Sequence, residues 1–319
     1  MAEKHARKEL TMQGDQQSGV IVVDKPPGIS SAKVVAKVKR LLNANKVGHT
    51  GTLDPFAEGV LVCCINDATR LVQFLQSGNK TYDAIMKLGV ETDTQDSTGT
   101  VIASNAVIHC TDQRIRSIVK KFKGAIDQQP PTFSALKHKG IPLYRLARQG
   151  RPVQKPARQV YIFDIKILEI NLPLVHLEIS CSAGTYIRTL CADIGKQLGC
   201  GAHLMALKRV ENSGFHIDQA MSPSQLERQA LTGELNGCLI SMTDALMDMP
   251  ACRANQRLIR KIKHGQPLCK TDIDLGWLSE KATKQDTHLK IVDIDNTLLA
   301  VLKYIKQQDK FNYVCVFQK

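Results

Sequence analysis

No stretch of this 319-residue sequence approaches the roughly 20 consecutive apolar residues that a membrane-spanning helix needs. The N-terminus, MAEKHARKEL, is charged and lacks the apolar segment of a secretory signal, so the expected location is cytoplasmic. The ten cysteines contain no Cys-x-x-Cys spacing, which argues against a thiolate metal site; Cys63 and Cys64 stand in apolar context and read as buried free thiols. The patterns G-x-x-x-x-G-K-[ST], G-x-G-x-x-G, H-E-x-x-H and G-x-S-x-G are missing as well. Their absence removes the common phosphate-loop, dinucleotide, zinc-protease and serine-hydrolase readings. There is no internal repeat and no low-complexity tract.

What is present is positive charge. Lys and Arg number 43 against 30 Asp and Glu, a net +13 that favours a polyanionic partner such as nucleic acid or an anionic membrane surface. Residues 111–160 hold twelve of the bases and only Asp112 and Asp127 of the acids, so one segment carries most of the excess. Phe133, Tyr144 and Tyr161 are interleaved with those bases. Aromatic and guanidinium faces stack on unpaired bases, so a nucleic-acid partner gains weight over a merely solvated face.

With 43% hydrophobic residues the chain can bury a large domain and a smaller one. GVIVVD (19–24) is a strand run, stopped by KPPG. Ser30 or Ser31 then caps a helix whose Val34, Val35, Val38, Leu41 and Leu42 share a face. A strand near 60–65, a short helix ATRLVQFLQ and the strand KTYDAIMKLGV follow, the last with Tyr82, Ala84, Met86 and Leu88 on one side. Residues 89–99 read as a loop, and Thr111 or Asp112 as the cap of a helix running to Gly124. The segment 130–150 reads as a proline-broken, basic excursion that is briefly helical. Strands at about 158–170 and 174–181 precede a helix closed by Gly199, and SPSQ at 222–225 is a capping box. From about 250 the runs HGQPL, LKIVDIDNTLLAVLKYI and NYVCVF suggest a small β-rich unit. Strands and helices do not alternate regularly, so the fold class is α+β rather than a doubly wound sheet.

The most specific stretch is NKVGHTGTLDPFAEGVLVCCI, residues 45–65. A residue before proline is pushed out of the helical region, and three glycines permit close backbone approach, so Asp54 sits in a shaped loop leading into a strand. Near His49, it is a candidate general base or nucleophile; the competing reading is an Asx turn. The residues alone leave both open.

GHTGTLDP with GVL (48–61) resembles the catalytic motif of the TruB family of tRNA pseudouridine-55 synthases. Four further segments agree in order: KPPGISS (25–31), KTYDAIMKLGVETDTQDSTG (80–99), CSAGTYIRTL (181–190) and GCGAHLMALKRV (199–210). The resemblance spans about 19–215. PPTFSALKHKGIPLYRLARQG (130–150) is similar to the RNA-gripping insertion of the bacterial enzymes, here about 125–155. Lys208 departs from the arginine common in relatives and keeps the charge.

The resemblance implies a pseudouridine synthase fold with a mixed central sheet and flanking helices. It implies a flexible N-terminus (1–18), a catalytic domain (19–248) and a C-terminal PUA-like RNA-binding domain (249–319). It makes Asp54 the catalytic carboxylate and Arg188 the cation paired with it. Tyr82 becomes the ring that stacks on the target base, Tyr186 and Leu207 the uracil pocket, His49 a contact beside the extruded nucleotide, and Lys25 a support for the loop. The implied reaction uses no cofactor and no metal, acts on the T stem-loop of tRNA, and is carried out by a monomer. Asp54 either attacks C1′ or acts at C2′. Two other readings stay open, a tRNA-folding chaperone and a guide-RNA-dependent synthase subunit.

Overall fold

The computed structural model describes residues 17–105, 110–273, 287–308 and 310–317. The expectation of a flexible N-terminus falls largely outside them; at its end, Gln17 and Ser18 are held by Asn66 and Asp67 through hydrogen bonds of 2.9 and 3.2 Å.

In chain order the elements are β1 (Gly19–Lys25), α1 (Ser31–Leu41), β2 (Val47–His49), β3 (Glu58–Ile65), α2 (Val72–Leu75) and β4 (Lys80–Leu88). There follow β5 (Val90–Thr92), β6 (Val101–Ser104), α3 (Asp112–Lys120), β7 (Gly124–Gln128), β8 (Lys137–His138), β9 (Ile141–Pro142) and α4 (Leu143–Arg148). Then come β10 (Arg158–Asn171), β11 (Leu174–Cys181), α5 (Ile187–Leu198), β12 (Ala202–Asn212), β13 (Phe215–His216), α6 (Pro223–Thr232) and α7 (Met242–Ala245). The chain closes with β14 (Ala251–Arg253), α8 (Gln256–Lys263), β15 (Leu268–Cys269), β16 (Thr287–Val292), β17 (Leu298–Ile305) and β18 (Lys310–Val316).

The central sheet has the strand order β1-β3-β12-β4-β11-β10-β7, with β2 on β3 and β13 on β12. It is mixed: β12 runs parallel to β3 and antiparallel to β4. A second sheet, β14-β16-β17-β18-β15, forms the C-terminal β-rich region. The architecture is α+β.

Strand β1 shows why its sequence is continuously apolar. Val20 and Val22 join a cluster with α2 and with Val301 and Phe317 of the C-terminal region, while Ile21 and Val23 pack beneath α1 and α6. Both faces are covered, so alternation is lost. Strand β4 behaves oppositely: Lys80, Tyr82, Ala84, Met86 and Leu88 are buried, and the residues between them are half-exposed. Sliding β4 by one position would expose that whole set, at about 1.5–3 kcal/mol for each large apolar side chain. The core therefore fixes the direction in which Tyr82 points.

Helix starts follow the capping signals. Ser30, Thr111 and Ser222 each accept from the third residue ahead, and Gln225 returns the bond to Ser222 N–H at 2.7 Å. Gly199 ends α5 in the left-handed conformation, φ +83°.

Some elements differ from the sequence reading. Helix α3 stops at Lys120, and Gly124 opens the edge strand β7 at φ +107°. Residues 89–99 contain the short strand β5, paired with β6 rather than with the main sheet. The C-terminal region carries α8, where Leu258 and Ile262, four apart, are buried and Asn255 caps Leu258 N–H at 2.9 Å. Segment 130–150 is less of an excursion than its composition suggests: Leu143 is fully buried, and Phe133 is tied to the site described next.

Candidate active site

Asp54 lies in the loop between β2 and β3, and that loop is tied from several sides. Ser31 Oγ accepts from Leu53 N–H at 2.9 Å and donates to the Leu53 carbonyl at 3.0 Å. Lys25 Nζ donates to the carbonyls of Pro26, Pro55 and Ala57 at 2.9, 3.3 and 2.6 Å. Arg209 Nη2 donates to the Gly51 carbonyl at 3.0 Å, and Asn212 Nδ2 to Thr50 Oγ1 at 2.9 Å. Buried carbonyls in an irregular loop need such partners, and the loop holds one shape because they are supplied.

Arg188 is the second residue of α5. Its Nε donates to Asp54 Oδ2 at 2.9 Å and its Nη2 lies 3.5 Å from Oδ1. The same guanidinium donates to the Thr94 carbonyl at 2.7 Å and the Phe133 carbonyl at 2.8 Å, and Nη1 stands 3.6 Å from Asp96 Oδ2. Arg188 is 3% exposed, so it is an internal cross-link rather than a surface charge at a helix start. A planar five-donor fork suits this many acceptors where an ammonium would not.

Burial pushes the Asp54 carboxyl above its ordinary range; Arg188 pulls it back and nearby Asp96 pushes it further up. Desolvation therefore outweighs the guanidinium. Asp96 itself is buried and accepts from Thr94 Oγ1, Thr98 N–H and Thr98 Oγ1 at 2.8, 2.9 and 2.6 Å.

A cavity of about 640 Å³ opens beside this pair, and Asp54, Tyr82, Tyr186, Arg188 and Leu207 all line it. Tyr82 and Leu207 come from the neighbouring strands β4 and β12, where Tyr82 pairs with Arg209 and Leu207 with Ala84. Tyr186 is fixed by Gln128, which accepts from its N–H at 2.7 Å and donates to its carbonyl at 2.9 Å. Arg158 stacks over the Tyr186 ring at 5.3 Å and donates to the Gly184 carbonyl.

Lys25 and His49 are not among the lining residues. Lys25 lies under the loop, and burial lowers its pKa to about 8. His49 Nδ1 accepts from Gly51 N–H at 3.2 Å; burial, then Arg209, lower its pKa, so the ring is neutral near pH 7.

Sequence reasoning gave no role to Asp96, Lys80, Arg209, Gln128 or Ser134. Lys80 and Arg209 each stand two residues from a named lining residue, Tyr82 and Leu207, and the period of a strand places them on the same face. Lys80 donates to the carbonyls of Gln76 and Gly78 at 3.1 and 2.6 Å. Asp96 left no such signal, because an acid among threonines in a turn-rich segment is unremarkable.

Among the described residues there is no metal-holding group of His, Cys, Asp and Glu, and no helix long and apolar enough to cross a membrane. A second cavity, about 610 Å³, runs between residues 74–79 and 245–250. Glu211, Asp248 and His288 line it without any lysine or arginine, which suits a polyanion poorly.

Comparison with known proteins points the same way. Residues 39–187 match the N-terminal domain of TruB family pseudouridylate synthases, and residues 188–247 match a tRNA pseudouridylate synthase B C-terminal domain. The chain is 43% identical to tRNA pseudouridine synthase B of Geobacter sulfurreducens over 81% of its own length and 85% of that protein's. It is 38% identical to the enzyme of the same name from Syntrophobacter fumaroxidans over 91% and 94% of the two chains. Among solved structures, an H/ACA ribonucleoprotein bound to a substrate RNA containing 2′-deoxyuridine gives a TM-score of 0.70 at 26% identity, covering 94% of this chain and 85% of that one. A Cbf5-Nop10-Gar1 complex also gives 0.70, at 28% identity and with 94% and 84% covered.

Proposed function

The chain belongs to the TruB family of pseudouridylate synthases, and we propose that it isomerises the T-loop uridine at position 55 of tRNA by base extrusion and an Asp54-dependent, cofactor-free mechanism. The observation that carries this reading is the Asp54–Arg188 pair, which shares a single cavity with Tyr82, Tyr186 and Leu207.

The uracil must leave C1′ through N1, turn over and return through C5; the proton lost from C5 is balanced by one gained at N1. An ionised carboxylate serves whether it bonds to C1′ or takes a proton from C2′. Arg188 orients Asp54 and offsets part of the effect of burial, favouring the ionised form. Tyr82 stacks on the base, while Tyr186 and Leu207 close the pocket around the ring. Extruding the nucleotide from a folded loop costs a few kcal/mol, and His49 contacts the RNA beside the vacated stack. Lys25 keeps the loop in shape. The segment 125–155 grips the RNA: Arg145, Arg148 and Arg151 are exposed, and Arg148 stands over the Tyr144 ring at 5.8 Å.

Residues 19–248 form the catalytic domain in this reading, and residues 249–319 a PUA-like RNA-binding domain. The protein acts as a cytoplasmic monomer without guide RNA. Identity of 42–43% to proteins named tRNA pseudouridine synthase B, against 26–28% to chains from an H/ACA ribonucleoprotein and a Cbf5-Nop10-Gar1 complex, supports that last point. The deciding experiment maps pseudouridine in bare tRNA incubated with the pure chain and with Asp54→Asn. Product at the T loop from the first and none from the second is expected; product from the mutant would defeat the assignment.

A further inference from the structure

Ser134 Oγ is buried and has no hydrogen-bond partner among the described residues. Ser134 is 4% exposed, and it lines the same cavity as Asp54, Tyr82 and Arg188. Its place is not accidental to the site. The preceding carbonyl, of Phe133, accepts from Arg188 Nη2 at 2.8 Å, and its own carbonyl accepts from Tyr144 N–H at 3.0 Å. The backbone is thus held at two points while the side chain is left unpaired. Among the described residues the other buried side-chain atom without a partner, Gln229 Oε1, belongs to α6 and lies outside this cavity.

An unpaired buried hydroxyl is destabilising, and one that lines a cavity calls for a partner, which a bound ligand can supply. Serine offers one donor and two acceptor lone pairs. The edge of a uracil ring presents two carbonyl oxygens and one N–H, whereas Tyr82 and Leu207 offer that ring mainly apolar surface.

We propose that Ser134 is a specificity contact for the base, its hydroxyl donating to a uracil carbonyl oxygen when the uridine enters the cavity. The proposal rests on the function proposed above. Once the bond to C1′ breaks, negative charge spreads onto the carbonyl oxygens, and a donor fixed beside one of them strengthens its bond as that charge develops. The contact also gives segment 130–150 a part in reading the base as well as in gripping the backbone.

The test uses the full chain and three T-stem-loop RNAs: unmodified, and with sulfur replacing O2 or O4 of the target uridine, sulfur being the weaker acceptor. Wild type should lose about tenfold in kcat/KM at one of the two thio positions. Ser134→Ala should lose a similar factor on the unmodified RNA, show no further loss at that same thio position, and melt at the wild-type temperature or above. Ser134→Cys, which keeps the size and a weak donor, should fall between. A Ser134→Ala protein that still shows the full sulfur penalty at whichever position penalises wild type, or that melts several degrees lower, overturns the contact. Wild type inactive on the unmodified RNA overturns the functional reading and the contact with it, so the two failures are separable.

Discussion

Arg188 meets Asp54 across 134 positions of sequence, Nε to Oδ2 at 2.9 Å, and with its remaining donors holds Thr94 and Phe133. One guanidinium thereby joins the loop before β3, the turn after β5 and the start of the basic segment. Arg188→Lys retains the charge but cannot span these acceptors. Turnover is expected to fall by at least about a hundredfold, as expected where a mutation misplaces reacting groups by about an ångström. Single-turnover kinetics on tRNA would check it; a lysine variant within threefold of wild type would remove the fork from the mechanism.

The raised pKa of Asp54 makes a claim about stability. The folded state binds this proton more tightly than the unfolded chain, so ionising Asp54 costs stability once pH exceeds the unfolded value near 3.8, and the full cost is present above the folded pKa. Asp54→Asn does not titrate. Its melting temperature relative to wild type should therefore be highest above the folded pKa and should decline as the solution is acidified below it toward the unfolded value near 3.8. Calorimetry between pH 4 and 7.5 would measure the difference, and a gap that widens on acidification contradicts the assignment of burial as the dominant cause.

Lys25 bonds three carbonyls of the loop region, and its cavity-free position makes it a positioning group. Lys25→Met leaves the buried Ala57 carbonyl without this donor, at about 1–3 kcal/mol. Urea unfolding should show that loss together with a lower kcat, while RNA affinity changes little. Unchanged stability would count against the anchoring role.

Gly59 has φ +101°, and a β-carbon there would stand 2.2 Å from the Arg209 carbonyl oxygen. Neither backbone strand can retreat without breaking the parallel contact between β3 and β12. Gly59→Ala is expected to destabilise the fold by more than the roughly 1–3 kcal/mol of a strained φ alone, through the added overlap. Thermal melting would show it.

Salt dependence tests where the RNA lies. Among residues 111–160, Arg116, Lys120, Lys121, Lys137, Lys139, Arg145, Arg148 and Arg151 are exposed. If several of them touch phosphates, log Kd against log salt should have a slope of about 0.7–0.9 per contact. Replacing Arg145, Arg148 and Arg151 by Gln should lower the slope; an unaltered slope would move the backbone elsewhere.

Much of this arrangement was readable in the residues, for local reasons. The caps at Ser30, Thr111 and Ser222 and the glycine stop at 199 are short-range chemistry, and they stand where the signals put them. The alternation of β4 put Tyr82 on one side with Ala84, Met86 and Leu88, and that is the side the structure buries. What failed was non-local. Gly124 looks like a helix stop, and only pairing with β10 reveals it as a strand start. The same limit hid Asp96: it faces Arg188, which stands far from it in the sequence. The meeting of Asp54 with Arg188 was foreseeable only from resemblance, since no propensity reports a contact 134 residues apart.

The loop carrying Asp54 is clamped by Lys25, Ser31, Arg209 and Asn212 before any RNA arrives. A rigid receptor leaves the deformation to its guest. Between two RNAs of identical loop sequence, the one whose tertiary contacts hold the uridine more loosely should therefore be converted faster, and the selectivity of this protein becomes a measure of how readily each substrate gives way.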